Sequence, residues 1–565
     1  MANPAGKNRS SDAELRAAVA AYEESGGNLS AAARALGVHR ITLRDRLDKA
    51  PGRLGIKPEK PLAGGKIAAS APRVRRLPRA GHVRRYIFTS AQNNTHLHRV
   101  AWDNLQAYRA HLDALPTGDC ELMVGTFSYQ MDAYGRKAVK RGRYKAPDRE
   151  LWFDPEVLAF AKDESVELAP ALVWCGEMNI LPTAQHPLTG METYNGRKSN
   201  IVPHAKIELV SVASLAGEGT KLNFSTGTVT QRNYVQKRVG IMAERQHAYG
   251  GLIVEVDAGG HWWVRQLHAD DEGSVYDVGP SPSPPIRIRS GKVERMGGSE
   301  RFVDSVGWGD AHAAEMALWV RRLSWGKGGM LDALRPRRQF LHDVFSMRAR
   351  GHHDMKNFLR TYEKHVSGEG GVEDEMRVTA DFVNESLRGW TETVVVPSNH
   401  HRHLLRWVND ADPNLDPLNA RYHAKLRQRL LELMDDGLTA KEAPQPLLEW
   451  ALREAGMAGD VRFLREDESF VICKGHGGGV ECGLHGDLGP NGARGSTRNL
   501  AKLGRAVNKN HDHIAAIRDL VYSGGAAALD FPYMLGPSAH SISDVVTFEN
   551  ATRQIVTMYA NKWRA

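Results

Sequence analysis

Cysteine is nearly absent from this sequence, with only Cys120, Cys175, Cys473 and Cys482 in 565 residues. Thiols so few and so far apart cannot make the disulfide framework of a secreted scaffold, so a reducing cytoplasm is the expected compartment. Also missing is any apolar run of about 18 residues, the length that spans a bilayer. The opening MANPAGKNRSSDAE is polar and holds no apolar signal core, so Sec-type secretion is not expected. Wholesale disorder is excluded as well. Hydrophobic residues make up 41% and charged residues 25%, the proportions of an ordinary globular protein. At this length one core does not suffice, and two to four domains are expected.

The net charge of +9 is unevenly placed. Residues 51–85 carry ten Lys or Arg against Glu59 alone, residues 1–50 are mildly basic, and 86–565 is slightly acidic as a whole. Within 1–50 the run SSDAELRAAVAAYEES sets Leu15, Val19 and Tyr22 on one helical face, with Ser11 and Glu14 spaced as a capping box. After Gly26-Gly27, Leu29, Ala32, Ala33 and Leu36 are spaced for a second helix. Gly37 permits a tight turn, and Ile41 to Leu47 form a third. This resembles the Fis-type helix-turn-helix, with its small-residue first helix, Leu-Gly turn and basic second helix. The resemblance implies DNA as partner, with His39, Arg40, Thr42, Arg44 and Arg46 offered to a major groove. A helical hairpin used for homodimerisation is the alternative.

Residues 51–83 are Pro/Gly/Ala-rich and basic without an apolar period, and read as a flexible linker. Its charges, Arg75 and Arg76 among them, would follow a phosphate backbone without sequence preference. From Tyr86 the texture becomes α/β. Strand-like runs such as RRYIFTSAQ, CELMVGTF and GGLIVEVD surround the amphipathic VAWDNLQAYRAHLDAL. A domain of unassigned role is expected over 84–280, closed by the Pro/Ser/Gly-rich stretch 279–298. Its polar runs Gln92-Asn93-Asn94-Thr95, with His96 and His98, and STGTVTQRNY fit binding loops and ordinary turns equally well.

The chemistry concentrates in 298–565. Five segments end strand-like runs with metal-capable residues: Asp310 and His312 after VDSVGW, His342-Asp343 in FLHDVFSM, Asn399-His400 after TVVVPS, His485 after VECGL, and His511 and His513 in VNKNHDHI. Oxygen and imidazole groups without thiolates suit Mn²⁺, Fe²⁺ or Zn²⁺ better than Mg²⁺ alone. Loops at the carboxyl ends of strands can converge on one crevice.

The order Asp-x-His, Asp, Asn-His, His, His-x-His resembles the calcineurin-like metallophosphoesterase superfamily. HDVFSM…GHHD, PSNHHRHLLRW, HGDLGPNGARGS and LGPSAHS…NKWR are similar to the DNA-transfer and host-DNA-degradation nucleases of tailed phages. The resemblance implies a four-layer α/β/β/α sandwich over 298–565, giving an α/β multi-domain protein with a small helical amino-terminal module. It implies two divalent ions, Mn²⁺ foremost, bridged by Asp343. One would be held by Asp310, His312 and His513, the other by Asn399, His485 and His511, with His400 protonating the leaving oxygen. The implied function is DNA phosphodiester hydrolysis in a phage-encoded protein of the host cytoplasm. The alternatives are a protein or small-nucleotide phosphoesterase, or an inactive DNA-binding regulator.

The chain departs from that pattern at His342, Ser398 and Asn510, where glycine is usual, and at Ser346, where an acid is usual. His401 and His403 stand near enough to the motif to touch substrate. His540 is not counted among the ligands. Cys473, His476, Cys482 and His485 form a rival C-x2-H-x5-C-x2-H zinc set, but the spacing fits no common finger and would take His485 from the other centre. The Gly-rich loop after His485 offers backbone N–H groups and Arg494 to a DNA phosphate. It lacks the ending of a nucleotide-binding P-loop.

Overall fold

The computed structural model describes residues 10–25, 29–55, 72–129, 152–215, 217–351, 357–528, 531 and 535–565. The chain divides into two compact units, one containing the amino-terminal 65 residues and the other nearly everything else. It is a mixed α/β protein with a helical amino-terminal region and large sheets.

The amino-terminal unit contains helices α1 (Asp12–Glu24), α2 (Leu29–Ala35) and α3 (Arg40–Leu54). The capping box forms: the Ser11 hydroxyl accepts from the Glu14 N–H, and the Glu14 carboxylate accepts from the Ser11 N–H. The small residues Ala32 and Ala33 let α2 approach Leu15, Val19, Leu43 and Leu47, which are all buried with them. Gly37 turns the chain between α2 and α3 at φ +62°.

In the larger unit, strand Val83–Gln92 is buried on both faces, and its sequence is correspondingly apolar. Tyr86 and Phe88 face one core while Ile87 and Ala91 face another, with Trp102, Leu105 and Leu112 of helix Arg99–Asp113. The strand pairs in parallel with Cys120–Phe127 and antiparallel with Gly250–Asp257. Fully buried Arg85 and Arg265 both bond Glu255, and Arg265 also bonds Asp277.

A six-stranded sheet runs in the order Val461–Phe463, Glu392–Val395, Arg338–Leu341, Val303–Gly307, Ser543–Phe548, Arg553–Thr557. The first four strands are parallel. One face packs under helices Val372–Ser386, Asn399–Asp410, Ala420–Asp435 and Pro444–Glu454 through Val306, Leu341, Val395 and their neighbours. The other face packs on an eleven-stranded sheet, Phe340 and Val394 meeting Ile472, Val480 and Cys482.

Three expectations need correction. Separate domains over 84–280 and 298–565 are not formed. The eleven-stranded sheet takes strands from both stretches, joined where Leu209 pairs with Ile517. The Pro/Ser/Gly-rich stretch 279–298 is no linker, because Ile286–Arg289 and Lys292–Arg295 continue a three-stranded sheet begun by Val275–Asp277. Beyond the strands Ala506–Lys509 and Val521–Ser523, the expected outer helical layer is reduced, among the described residues, to the short turn Thr497–Leu500, packed through Leu500 on Val507 and Val521.

The basic linker is likewise shorter than 51–83. Residues 51–54 finish α3, and Arg73–Val74 pairs with strand Ser165–Ala169. Linker residues 56–71 lie outside the described residues. Of the basic residues of 51–85, several are already paired: Arg75 bonds Glu121, Arg84 lies near Asp119, and Arg85 is fully buried against Glu255.

Candidate metal centre

Every presumed ligand follows the carboxyl end of a strand. Asp310 and His312 follow Val303–Gly307, Asp343 follows Arg338–Leu341, and Asn399 follows Glu392–Val395. His485 follows Val480–Glu481, and His511 and His513 follow Ala506–Lys509, both strands belonging to the facing sheet. Parallel pairing aligns these ends, so the loops of two sheets meet at one point.

The side chains converge on two fully buried carboxylates. His513 Nε2 lies 3.2 Å from Asp310 Oδ2 and 3.2 Å from His312 Nε2. Asp310, His312, Asp343 and His513 thus form a buried group whose potential ligand atoms all lie within 4.8 Å of one another. On the other side His485 Nε2 lies 3.1 Å from Asn399 Oδ1 and 3.2 Å from Asp343 Oδ2. His511 joins through its backbone N–H, which donates to Asp310 Oδ2 at 3.0 Å, and its ring centre is 5.2 Å from that of His485.

Asp343 Oδ1 and Asp310 Oδ1 receive no hydrogen bond, and at 3.2 Å Asp343 Oδ2 faces the His485 ring alone. Buried carboxylate oxygens without donors cost several kcal/mol unless a cation meets them. The donor set therefore fits a metal ion, with carboxylate, amide and imidazole groups pointed at common ground. Electrostatics agree. Burial alone would raise the Asp310 carboxyl, but His485 and His513 bring it down to about 2. Burial likewise opposes ionisation of Asp343, yet facing imidazoles, His485 foremost, hold it well below the usual range. Burial, aided by His400, drives His312 down to about 3, keeping its imidazole neutral and able to ligate. His485 is raised against its burial by Asp343 and Asp310, so binding an ion there would displace its proton.

His312, Asp343, His511 and His513 hold positive φ of 43°, 45°, 79° and 56°. Non-glycine residues in that region cost roughly 1–3 kcal/mol each and gather at functional sites. The departures from the resembled pattern also have structural tasks. The Ser346 hydroxyl bonds His312 Nδ1 at 3.1 Å, leaving Nε2 for the centre, and its carbonyl accepts from His400 Nδ1 at 2.8 Å. Ser398 caps helix Asn399–Asp410 by accepting from the His401 N–H. Asn510 ties the loops together, donating to the Trp308 carbonyl and accepting from the Gly524 N–H.

Residues 15–63 match the family profile of the PucR C-terminal helix-turn-helix domain. Over 533 residues the chain is 32% identical to protein A1 of Escherichia phage T5, covering 90% of each chain. The chain belongs to the protein A1 family. No solved structure matches this A1-family chain. The helix-turn-helix expected there is thus matched, as the PucR type, and such a domain suggests DNA binding.

Of the groove residues expected in this A1-family chain, Thr42 and Arg44 are exposed and Arg40 is half-buried. His39 is the cap of α3, its Nδ1 accepting from the Ile41 N–H. Arg46 is not a groove residue: it pairs with Glu14 of α1, and only 15% of its side chain is exposed. Arg75 is held by Glu121, whereas Arg76 is exposed. Arg494 is 74% exposed beside the centre, pairing at 3.2 Å with Asp512, which also pairs with buried Lys509. His401 is buried away from any substrate, while the ring of half-buried His403 lies 4.9 Å from that of His400.

The rival zinc set of the A1-family chain is not assembled. No cysteine enters a ligand-capable group among the described residues, Cys482 lies between the sheets, and the Cys473 thiol contacts the Phe548 carbonyl. The runs 92–95 and 225–234 come together through bonds such as Thr230 to the Gln92 N–H and Asn233 to Thr95, an internal clasp. The sequence marked His342 as metal-capable beside Asp343 but gave it no ligand role; it joins Asp310 and His485 in a second buried ligand-capable group. The only signal was a histidine beside the presumed bridging aspartate. No helix among the described residues is long and apolar enough to cross a membrane.

Proposed function

We propose that this protein is a metal-dependent deoxyribonuclease that hydrolyses DNA phosphodiester bonds. The observation that carries the reading is the pair of buried carboxylates, each with an oxygen that receives no hydrogen bond, ringed by imidazoles at the meeting of two sheets. Asp310, His312 and His513 would hold one ion, Asn399, His485 and His511 the other, with Asp343 between them. When bound, two divalent ions supply Lewis acidity toward a phosphate and make water reactive near neutral pH, Mn²⁺ being favoured over Fe²⁺, Zn²⁺ and Mg²⁺.

The chain's own groups supply the remaining steps. His400 donates its Nδ1–H to the Ser346 carbonyl, which fixes its orientation and leaves Nε2 to deliver a proton to the departing deoxyribose oxygen. Arg494 and the Gly-rich loop before it hold the phosphodiester backbone, and the helix-turn-helix holds duplex DNA. The likeness to a phage protein supports a phage setting, with host DNA degradation or phage DNA transfer as the task.

The test is cleavage of plasmid DNA by the purified full chain. With Mn²⁺ the DNA should be degraded, chelator should stop it, and His400→Ala should slow it on the order of 10²–10⁴-fold. Intact plasmid beside rapid turnover of a small chromogenic phosphodiester would overturn DNA as the substrate. Undiminished cleavage by His400→Ala would overturn the proton-donor role.

A further inference from the structure

His342 has no part in the mechanism above, yet it stands against one of the presumed ligands. It is 3% exposed, and its Nδ1 lies 3.4 Å from Nδ1 of His485 in a hydrogen bond between two stacked rings. The opposite nitrogen of His485, Nε2, is the one facing Asn399 Oδ1 and Asp343 Oδ2. An uncharged imidazole has one N–H and one lone pair. His485 can therefore offer Nε2 to an ion only if Nδ1 keeps its proton, and a buried N–H needs an acceptor.

Two acceptors lie near that N–H. Asp310 Oδ1, at 3.6 Å, makes no hydrogen bond, whereas His342 Nδ1, at 3.4 Å, does. We propose that His342 is a positioning residue: it accepts the Nδ1–H of His485 and thereby selects the tautomer that turns a bare Nε2 toward Asn399 and Asp343. Resting as it does on the metal-centre reading above, the proposal adds the group that orients one ligand.

Direct ligation by His342 is the competing geometry, since Asp310, His342 and His485 also form a compact ligand-capable group. That arrangement would require His485 to present Nδ1. A neutral ring presenting Nδ1 would carry its proton on Nε2, facing Asn399 and Asp343, and one imidazole cannot serve both. The main-chain task of residue 342, accepting the Ala311 N–H at 2.9 Å, survives any side-chain exchange.

The test is calorimetric titration of Mn²⁺ into the metal-stripped full chain, as wild type, His342→Ala and His342→Asn. The Asn side-chain oxygen occupies the place of Nδ1 and preserves the acceptor. Wild type should bind two ions. His342→Ala should also bind two, one of them about 10–100-fold more weakly, the usual effect of losing the group that orients a ligating histidine. His342→Asn should restore that affinity to within about threefold of wild type. Unchanged affinities in His342→Ala would overturn the proposal. So would equal weakening in both variants, which would mean that the ring only fills space. Loss of one ion at all concentrations, unrescued by Asn, would make His342 a direct ligand. A wild type that binds no Mn²⁺ would overturn the metal-centre reading itself, an outcome separable from these because it appears without any substitution.

Discussion

Asp343→Asn isolates the cation-binding role of the cluster from its packing. The substitution keeps shape and volume but removes the negative charge shared by both proposed ion sites. The charge faces His485 Nε2 at 3.2 Å, so the metal-free fold loses that one contact while the amide keeps the shape. Metal-free stability should fall by about 1–3 kcal/mol. The metal-dependent part should change far more. Ligand linkage gives about 2.7 kcal/mol for each ion at a free concentration one hundred times its dissociation constant. Unfolding entropy near 2.1 cal/mol/K per residue amounts to roughly 1 kcal/mol/K for the larger unit of roughly 500 residues. Two ions should then raise the melting temperature of that unit by about 5 °C, and Asp343→Asn should reduce the rise to below about 1 °C. Scanning fluorimetry of both proteins, with Mn²⁺ and with chelator, reads this directly. A variant that keeps the full Mn²⁺-dependent rise would refute the reasoning. So would one that melts some 5 °C lower in chelator, because Asp343 would then be a packing residue.

Two further outcomes follow from neighbouring groups. Asp544 is fully buried, accepts the Gly309 N–H and leaves Oδ2 without a partner; burial raises its carboxyl to about 7 from 3.8. The folded state then holds a proton that the unfolded state has released, so this contribution is present below pH 3.8 and is lost as pH rises to 7. Relative to wild type, Asp544→Asn should gain on the order of 2–4 kcal/mol in chemical denaturation between pH 4 and pH 8; a constant offset would contradict this. In the helix-turn-helix, Arg44→Ala should weaken DNA binding and lower its salt slope by about one. Arg46→Ala should instead loosen the α1–α3 pairing with Glu14 and lower the module's own melting temperature. Titrations at several salt concentrations, beside circular dichroism melts, distinguish the two, and equal effects on binding would refute the assignment.

What was legible in the sequence was local or periodic. Ser11 and Glu14 announced a capping box because its partners are three residues apart, and CELMVGTF was a strand from its composition alone. Metal-capable residues ending strand-like runs were local features, but the ligand set among them came only from the resemblance of their order to a known family. Pairing was not legible. Nothing local tells Leu209 that it will meet Ile517, so one unit was read as two domains. Charge was misread for the same reason: Arg85 and Arg46 look solvated until partners 170 and 32 residues away come against them. His342, metal-capable by type, was given no role in the centre because its partner, His485, lies 143 residues along the chain.

The most direct measurement is anomalous diffraction from crystals soaked in Mn²⁺. Two peaks roughly 3.5–4 Å apart on either side of the Asp343 carboxylate are predicted, one beside Asp310, His312 and His513 and one beside Asn399 and His485. A cluster without a peak under saturating Mn²⁺, its carboxylate oxygens met instead by protein donors, would contradict the account.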